Sequence, residues 1–400
     1  MAKSRSQSAS ACFSSVPNSL KVCAFAFLNF VFAQLAFSQE PLQASYGNSY
    51  QIDSSAFGQD VTLYVHLPAG YADSSDKDYP VLYVLDAESW MHAAVEANRI
   101  LQVNRRIPET IIVGVVRTRL LGSFSDPIVR ANLVSLFRDD VLPHVQANYR
   151  TSDLTTAFGH SATADLVLSL LIADPNLFSR FVLASPGLGE ELISGMESLL
   201  SENPLADKTM YLTLTNIHEE GHSRHSGMTR LIELLNEKAD ESFVWRYDPI
   251  ESLSHFTTPH TALFEGVAFL DLDFSPTRFA DYQSFLEFGG LPEVESHYER
   301  RALKYGVDPS VPLNTIVWLA GTLIRENQLD EALDVLLDYK DVNPESTNML
   351  SLFATVYQEL GRYNEALLAL EQANAIALRR SDRFLLEQLA GRMAALQELM

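Results

Sequence analysis

From about residue 60 to 270 the chain alternates between short apolar runs, rich in β-branched residues, and longer amphipathic stretches. The runs are VTLYVHL (61–67), PVLYVLD (80–86), TIIVGVV (110–116), LTTAFGH (154–160), RFVLAS (180–185), MYLTLT (210–215) and FVWRYD (243–248). Stretches with helical spacing separate most of them: 91–102, 131–147, 162–173, 226–239 and 260–270. A strand that is apolar throughout must be covered on both faces. Helices interleaved between strands do this over a mainly parallel sheet, which is the expected architecture. Ligands of such sheets bind at the carboxyl ends of the strands.

After about 280 the strand pattern stops and a repeat begins. Ala320 and Ala354 are 34 apart, as are Ala332 and Ala366, and LDEAL (329–333) superimposes on YNEAL (363–367) at the same offset. Small residues in phase at this period are the tetratricopeptide signature, since paired helices touch where only a small side chain fits. Repeats are expected at about 313–346 and 347–380. Pro344 closes the first, and Leu378 stands in its place in the second. Two repeats are too few to stand alone. Helical segments at 291–305 and 382–399 are expected to cap them.

Residues 1–38 carry bases and serines, then VCAFAFLNFVFAQLAF (22–37), and end in Ala36-Phe37-Ser38. That is the pattern of a cleaved secretory signal, with Gln39 as the mature start; an uncleaved membrane anchor is the alternative. Both cysteines, Cys12 and Cys23, fall in this segment, so the mature chain is expected to have no thiol metal ligand and no disulfide. The expected divisions are 1–38 signal, 39–278 α/β domain and 279–400 helical region. Export to a periplasm or to the outside is expected, without stable membrane insertion after cleavage. The formal net charge of −22 argues against nucleic acid as a partner and repels anions at long range.

AFGHSATA (157–164) follows a β-rich run and precedes a helical one. A strand, a tight turn carrying Ser161 and a helix make a nucleophile elbow. Gly159 meets the need for small residues there, whereas Thr163 stands where G-x-S-x-G has its last glycine. A serine needs a histidine base and an acid to orient it, in the order Ser, acid, His. His255 lies just after the last strand candidate, where its loop reaches back over the elbow. The acid is expected after MYLTLT, which is where HEEGH (218–222) sits. The oxyanion hole needs two backbone N–H groups: Ala162, next to the serine, and Ala87 in the LDAESW turn. Asp86 and Glu88 in that turn read as a strand end rather than an acid–base pair.

HEEGH also fits the H-E-x-x-H zinc pattern, which works because a helix puts both histidines on one face. Here Gly221 interrupts the motif, and no third ligand stands at suitable spacing; Glu237 and Glu241 are poorly placed. No metal or cofactor is therefore expected, beyond adventitious binding by His218, His222 and His225.

Taken together, YPVLYVLDAESW, IPETIIVGVV, LFRDDVLPHVQANYRTSDLTTAFGHSA, DPNLFSRFVLASPGL and SHFTTPHTALFEGVAFL resemble the putative-esterase family of α/β-hydrolases. That family includes siderophore (enterobactin-type) esterases and relatives of S-formylglutathione hydrolase. Some members carry a C-terminal tetratricopeptide segment introduced by a stretch like VESHYERRALKYGVDPSVP (294–312). The resemblance implies an α/β-hydrolase fold followed by an all-α tetratricopeptide-like region. It also implies a glutamate as triad acid. Counting back from Gly227 points to Glu220, which is preferred; counting forward from Asn216 points to Glu219. The family usually has Gly where Ala87 stands and Leu-Gly where Ala162-Thr163 stands, and its loop differs from RTRLLGSFSDP (117–127).

Two functions compete. The first is an exported serine esterase acting on a small ester through Ser161, His255 and Glu220 or Glu219, with Ala162 and Ala87 at the oxyanion. The second is an inactive hydrolase-fold module that docks a protein through the helical repeats, for which Thr163 is the main support.

Overall fold

The computed structural model describes residues 44–116, 127–202 and 205–400. The leader with Cys12 and Cys23, and RTRLLGSFSDP up to Asp126, lie outside the described residues. The α/β part runs β1 (Asn48–Ser54), β2 (Gln59–His66), β3 (Tyr79–Leu85), α1 (Ala87–Val103) and β4 (Ile111–Val115). It continues with α2 (127–148, with a π-helical turn over Leu136–Val141), β5 (Thr151–His160), α3 (Ala162–Ala173), β6 (Arg180–Ala184) and α4 (Glu190–Glu202). It closes with β7 (Thr209–Leu214), α5 (Ile217–Lys238), β8 (Val244–Pro249) and α6 (258–270). The sheet has eight strands in the order β1-β2-β4-β3-β5-β6-β7-β8. β1 and β2 join antiparallel at one edge, and the pairings from β4 to β8 are parallel.

The alternation in the sequence has a direct structural cause. Every residue of β3 is buried, but successive side chains enter different cores. Tyr79, Val81, Tyr83 and Leu85 pack with apolar residues of α2 to α5. Leu82 and Val84 pack with Trp90 and Met91 of α1 and Leu263 and Val267 of α6. Two elements were not foreseen. β1 reads NSYQIDS and buries only Ile52 and Ser54, so an edge strand held by its backbone ladder leaves little apolar signal. α4 buries only Ile193, Met196, Leu199 and Leu200.

The helical region comprises α7 (Tyr282–Phe288), α8 (Gly290–Tyr305), α9 (Leu313–Arg325), α10 (Leu329–Asp338), α11 (Thr347–Glu359), α12 (Tyr363–Arg380) and α13 (Arg383–Gln397). Its core is separate from the two around the sheet. Ala320, Ala332, Ala354 and Ala366 are all buried in it, where larger residues would force the helices apart. One buried polar joint ties this region to the sheet. Arg180, the first residue of β6, pairs with Asp271 at 2.5 Å, and the Tyr305 hydroxyl donates to Asp271 at 3.0 Å. Arg180 lies at the amino end of its strand, so the joint is on the edge of the sheet opposite the carboxyl ends. Among the described residues, no helix is long and apolar enough to cross a membrane.

Candidate active site

β5 ends at His160, and the chain turns through Ser161 into α3. Ser161 has φ 54° and ψ −123°, a conformation that costs a non-glycine residue about 1–3 kcal/mol. The surroundings hold it there. Its N–H donates to Ala184 O on β6 at 2.9 Å. A Cβ on Gly159 would lie 2.2 Å from the carbonyl oxygen of Thr163, so only glycine lets the helix come this close.

Thr163 does not loosen this turn. Its buried hydroxyl accepts from His160 N at 2.9 Å and donates to His160 O at 2.9 Å. One side chain thus satisfies both backbone groups of the residue before the serine. Thr163→Val keeps the shape and removes both bonds. It should destabilise the fold by about 1–3 kcal/mol, read from chemical denaturation, because two buried polar groups lose their partner.

The acid loop differs from expectation. HEEGH is not a loop: α5 begins at Ile217, capped by Asn216, whose side chain accepts from His218 N and Glu219 N. The helix breaks at Gly221 (φ 79°, ψ 164°) and then resumes. This break lies between His218 and His222, so the two do not share one helical face and the zinc geometry is lost. Among the described residues, no group of three or more His, Cys, Asp or Glu is placed to hold a metal ion.

The break also turns Glu220 inward. Its carboxylate is fully enclosed, accepting from Ser185 Oγ at 2.5 Å through one oxygen and meeting His255 Nδ1 at 2.8 Å through the other. An ionised carboxylate only accepts, so the Nδ1–H points at Glu220 and Nε2 is left as an acceptor. Glu219 stays exposed, and among the described residues its carboxylate meets only the backbone N–H of His255, at 3.4 Å. Two further bonds stitch the acid turn to the histidine loop: Thr215 Oγ1 donates to Leu253 O at 2.5 Å, and Asn216 Nδ2 donates to Glu251 O at 2.8 Å.

His255 reaches the elbow through His160. Their ring centroids are 4.6 Å apart, and His160 Nε2 bonds the carbonyl oxygen of His255 at 2.9 Å. Burial, with His255 close by, pushes the His160 pKa down to about 4. His160 is therefore neutral near pH 7 and donates Nε2–H to that carbonyl. Trp90 closes its other side, with ring centroids 5.1 Å apart. A sign follows for stability. As pH falls from about 6.5 to about 4, the unfolded chain takes up a proton at His160 that the folded chain refuses, so stability is lost across that window. His160→Gln should flatten this part of a plot of Tm against pH relative to the parent.

The two expected oxyanion donors begin helices. Ala162 is the first residue of α3 and Ala87 the first of α1, positions whose N–H groups have no partner within their own helix. β3 and β5 are paired with Val84 opposite Phe158, so Ala87 and Ser161, each three residues on, leave the sheet at matching depth. Gly114 makes room for Ala87, since a Cβ there would come within 2.6 Å of the Ala87 methyl. Ala87 also lines a cleft of about 540 Å³ with Tyr46, Tyr64, Met91 and His92.

Sequence reading missed Arg224. It donates through one terminal nitrogen to Ser161 Oγ at 3.1 Å and through the other to Ser185 O at 2.5 Å, and its Nε is 3.6 Å from Glu220. The available signal was its place four residues after Glu220, but the helix break between them hides it.

A mainly parallel sheet that turns through a strained serine into a helix is the α/β-hydrolase fold. Residues 54–196 match the family model described as "Putative esterase". The helical region is tetratricopeptide-like, and residues 309–373 match the model for "Anaphase-promoting complex, cyclosome, subunit 3". No curated protein matches the sequence significantly. Among solved structures, an uncharacterised protein from Capnocytophaga ochracea is similar with a TM-score of 0.60 at 16% identity, over 88% of this chain and 99% of its own. An IroE-like serine hydrolase from Shewanella oneidensis gives 0.56 at 17% identity, over 78% and 99%. The siderophore hydrolase EstB from Aspergillus nidulans gives 0.50 at 14% identity, over 59% and 98%. At these identities the likeness is one of fold.

Proposed function

We propose that the chain is a serine esterase that cleaves small carboxylic esters through Ser161, His255 and Glu220. The observation that carries this is the enclosed Glu220 carboxylate on His255 Nδ1 at 2.8 Å, beside a serine held at φ 54°. Ser161 Oγ attacks the ester carbonyl while His255 Nε2 takes its proton. The oxyanion is held by the N–H groups of Ala162 and Ala87. His255 returns the proton to the departing alcohol, leaving an acyl-serine. Water then attacks the acyl group, again giving its proton to His255, and the acid leaves as Ser161 recovers its hydrogen. Glu220 holds the imidazole in the tautomer this needs and stabilises its charged form. The family match over 54–196 supports ester chemistry. The reading as an inactive module rested on Thr163, whose hydroxyl braces the elbow.

Export is part of the proposal and rests on residues 1–38, with the mature chain starting at Gln39. The repeats are proposed to dock a protein partner. They attach at the sheet edge away from the elbow, which leaves the site open to a small substrate.

The test is labelling of purified residues 39–400 with a fluorophosphonate probe, with and without a chelator. Ser161-dependent labelling that ignores the chelator is expected, together with hydrolysis of short p-nitrophenyl esters. The absence of both labelling and hydrolysis would sink the proposal.

A further inference from the structure

Arg224 is not needed for the acyl-transfer chemistry just described, yet it touches the attacking oxygen. Its guanidinium has five N–H groups. Hydrogen bonds to Ser161 Oγ and Ser185 O occupy two of them, Nε lies 3.6 Å from Glu220, and no other hydrogen-bond partner is present among the described residues. Its nearest carboxylate is not a close counter-ion, and the half-buried Asp165 acts on it through charge alone, without a hydrogen bond. Glu220 stands 3.6 Å away and is already engaged at 2.5 Å by Ser185 and 2.8 Å by His255. The Arg224 side chain is 27% exposed, whereas Glu220 is fully enclosed, so solvent reaches part of the arginine but not that carboxylate. The site therefore presents a partly exposed arginine against Ser161 Oγ, in a chain whose net charge is −22. A structural brace for Ser185 and Glu220 would need neither a contact to Ser161 Oγ nor an exposed side chain.

We infer that Arg224 is a specificity-determining residue that binds a carboxylate on the substrate, so that the preferred substrates are esters carrying a negative charge a few carbons from the scissile carbonyl. A planar guanidinium with two adjacent donors fits a carboxylate, and a lysine ammonium reproduces the charge without the fork. The net acidity of the protein repels such substrates at a distance. Selection is therefore made at contact, where the guanidinium is close and partly shielded from water.

This inference rests on the esterase reading, and the experiment separates the two. kcat/KM is measured for a matched pair of esters, p-nitrophenyl butyrate and the p-nitrophenyl half-ester of succinate. Both are tested on the parent chain, Arg224→Lys and Arg224→Gln, with fluorophosphonate labelling run in parallel. The readout is the ratio of the anionic to the neutral ester, which is unaffected by a general loss of active protein. The parent ratio is expected to exceed about 10, to fall about 10- to 100-fold in Arg224→Gln, and to be partly kept in Arg224→Lys. A parent ratio at or below 1 overturns the inference, as does a ratio that Arg224→Gln leaves unchanged. If Arg224→Gln does not fold, the parent ratio and Arg224→Lys decide it. Labelling of Ser161 with no charge preference leaves the esterase reading standing, whereas no labelling and no turnover of either ester removes both.

Discussion

Ser161→Ala should abolish fluorophosphonate labelling and lower kcat on short p-nitrophenyl esters by about 10⁴- to 10⁶-fold, the scale seen when a serine hydrolase loses its nucleophile. The fold should survive, because the backbone contacts that hold the elbow do not use Oγ. The N–H of Ser161 bonds Ala184 O, and Thr163 braces His160. A companion variant tests the strain. At φ 54° and ψ −123° an alanine is as strained as the serine, whereas glycine is not. Ser161→Gly should therefore be equally inactive but more stable than Ser161→Ala by about 1–3 kcal/mol in denaturant titrations. Equal stability of the two would mean that the turn stores no strain. Substantial turnover by Ser161→Ala would place the chemistry elsewhere.

The second large effect separates adjacent glutamates. Glu220→Gln should cost about 10²- to 10⁴-fold in kcat. The Glu220 carboxylate accepts from Ser185 and His255 at once, through different oxygens. An amide offers one oxygen and one NH₂, so one of the two partners must now accept: Ser185 Oγ does so by turning its hydrogen away, whereas His255 Nδ1 does so only without its proton. If that partner is His255, the ring must carry its proton on Nε2, where it cannot take one from Ser161. Glu219→Gln changes an exposed group that, among the described residues, meets only a backbone N–H at 3.4 Å. Its kcat/KM should stay within about threefold of the parent, as for an ordinary surface change. The reverse pattern, with Glu219→Gln dead and Glu220→Gln active, would exchange the two assignments.

Much of the framework is legible in the sequence, because it is written in periodicity. Strands buried on both faces read as continuous apolar runs, and β3 is the clearest case. The repeat helices announced themselves through alanines that no larger residue could replace. β1 escaped because its stability comes from main-chain pairing at an edge, which leaves little pattern in side chains. HEEGH misled in another way. Its polarity suggested a loop, whereas Asn216 caps a helical turn and Gly221 then breaks it.

Thr163 marks a limit of motif comparison. Judged against a glycine, it looked like a defect at the elbow. In place, its hydroxyl takes up the two backbone groups of His160, while Gly159 supplies the close approach. Ala87 is similar, since the missing side chain of Gly114, on the neighbouring strand, makes room for its methyl. Such compensation lies across strands and turns, where no local pattern records it.

The sequence by itself determined the layered α/β architecture, the helical repeats, and the serine, histidine and acid loop as the groups to watch. Those follow from local rules: period, turn chemistry and order along the chain. Tertiary structure alone decided which glutamate faces His255, and that Arg224 lies against Ser161. Ser185, Glu220 and His255 are each 35 residues from the next, and they meet only because β6, β7 and β8 are neighbours in one sheet. Contacts of that range depend on how strands are ordered and where one helix breaks, and neither is encoded in the spacing of the residues that touch.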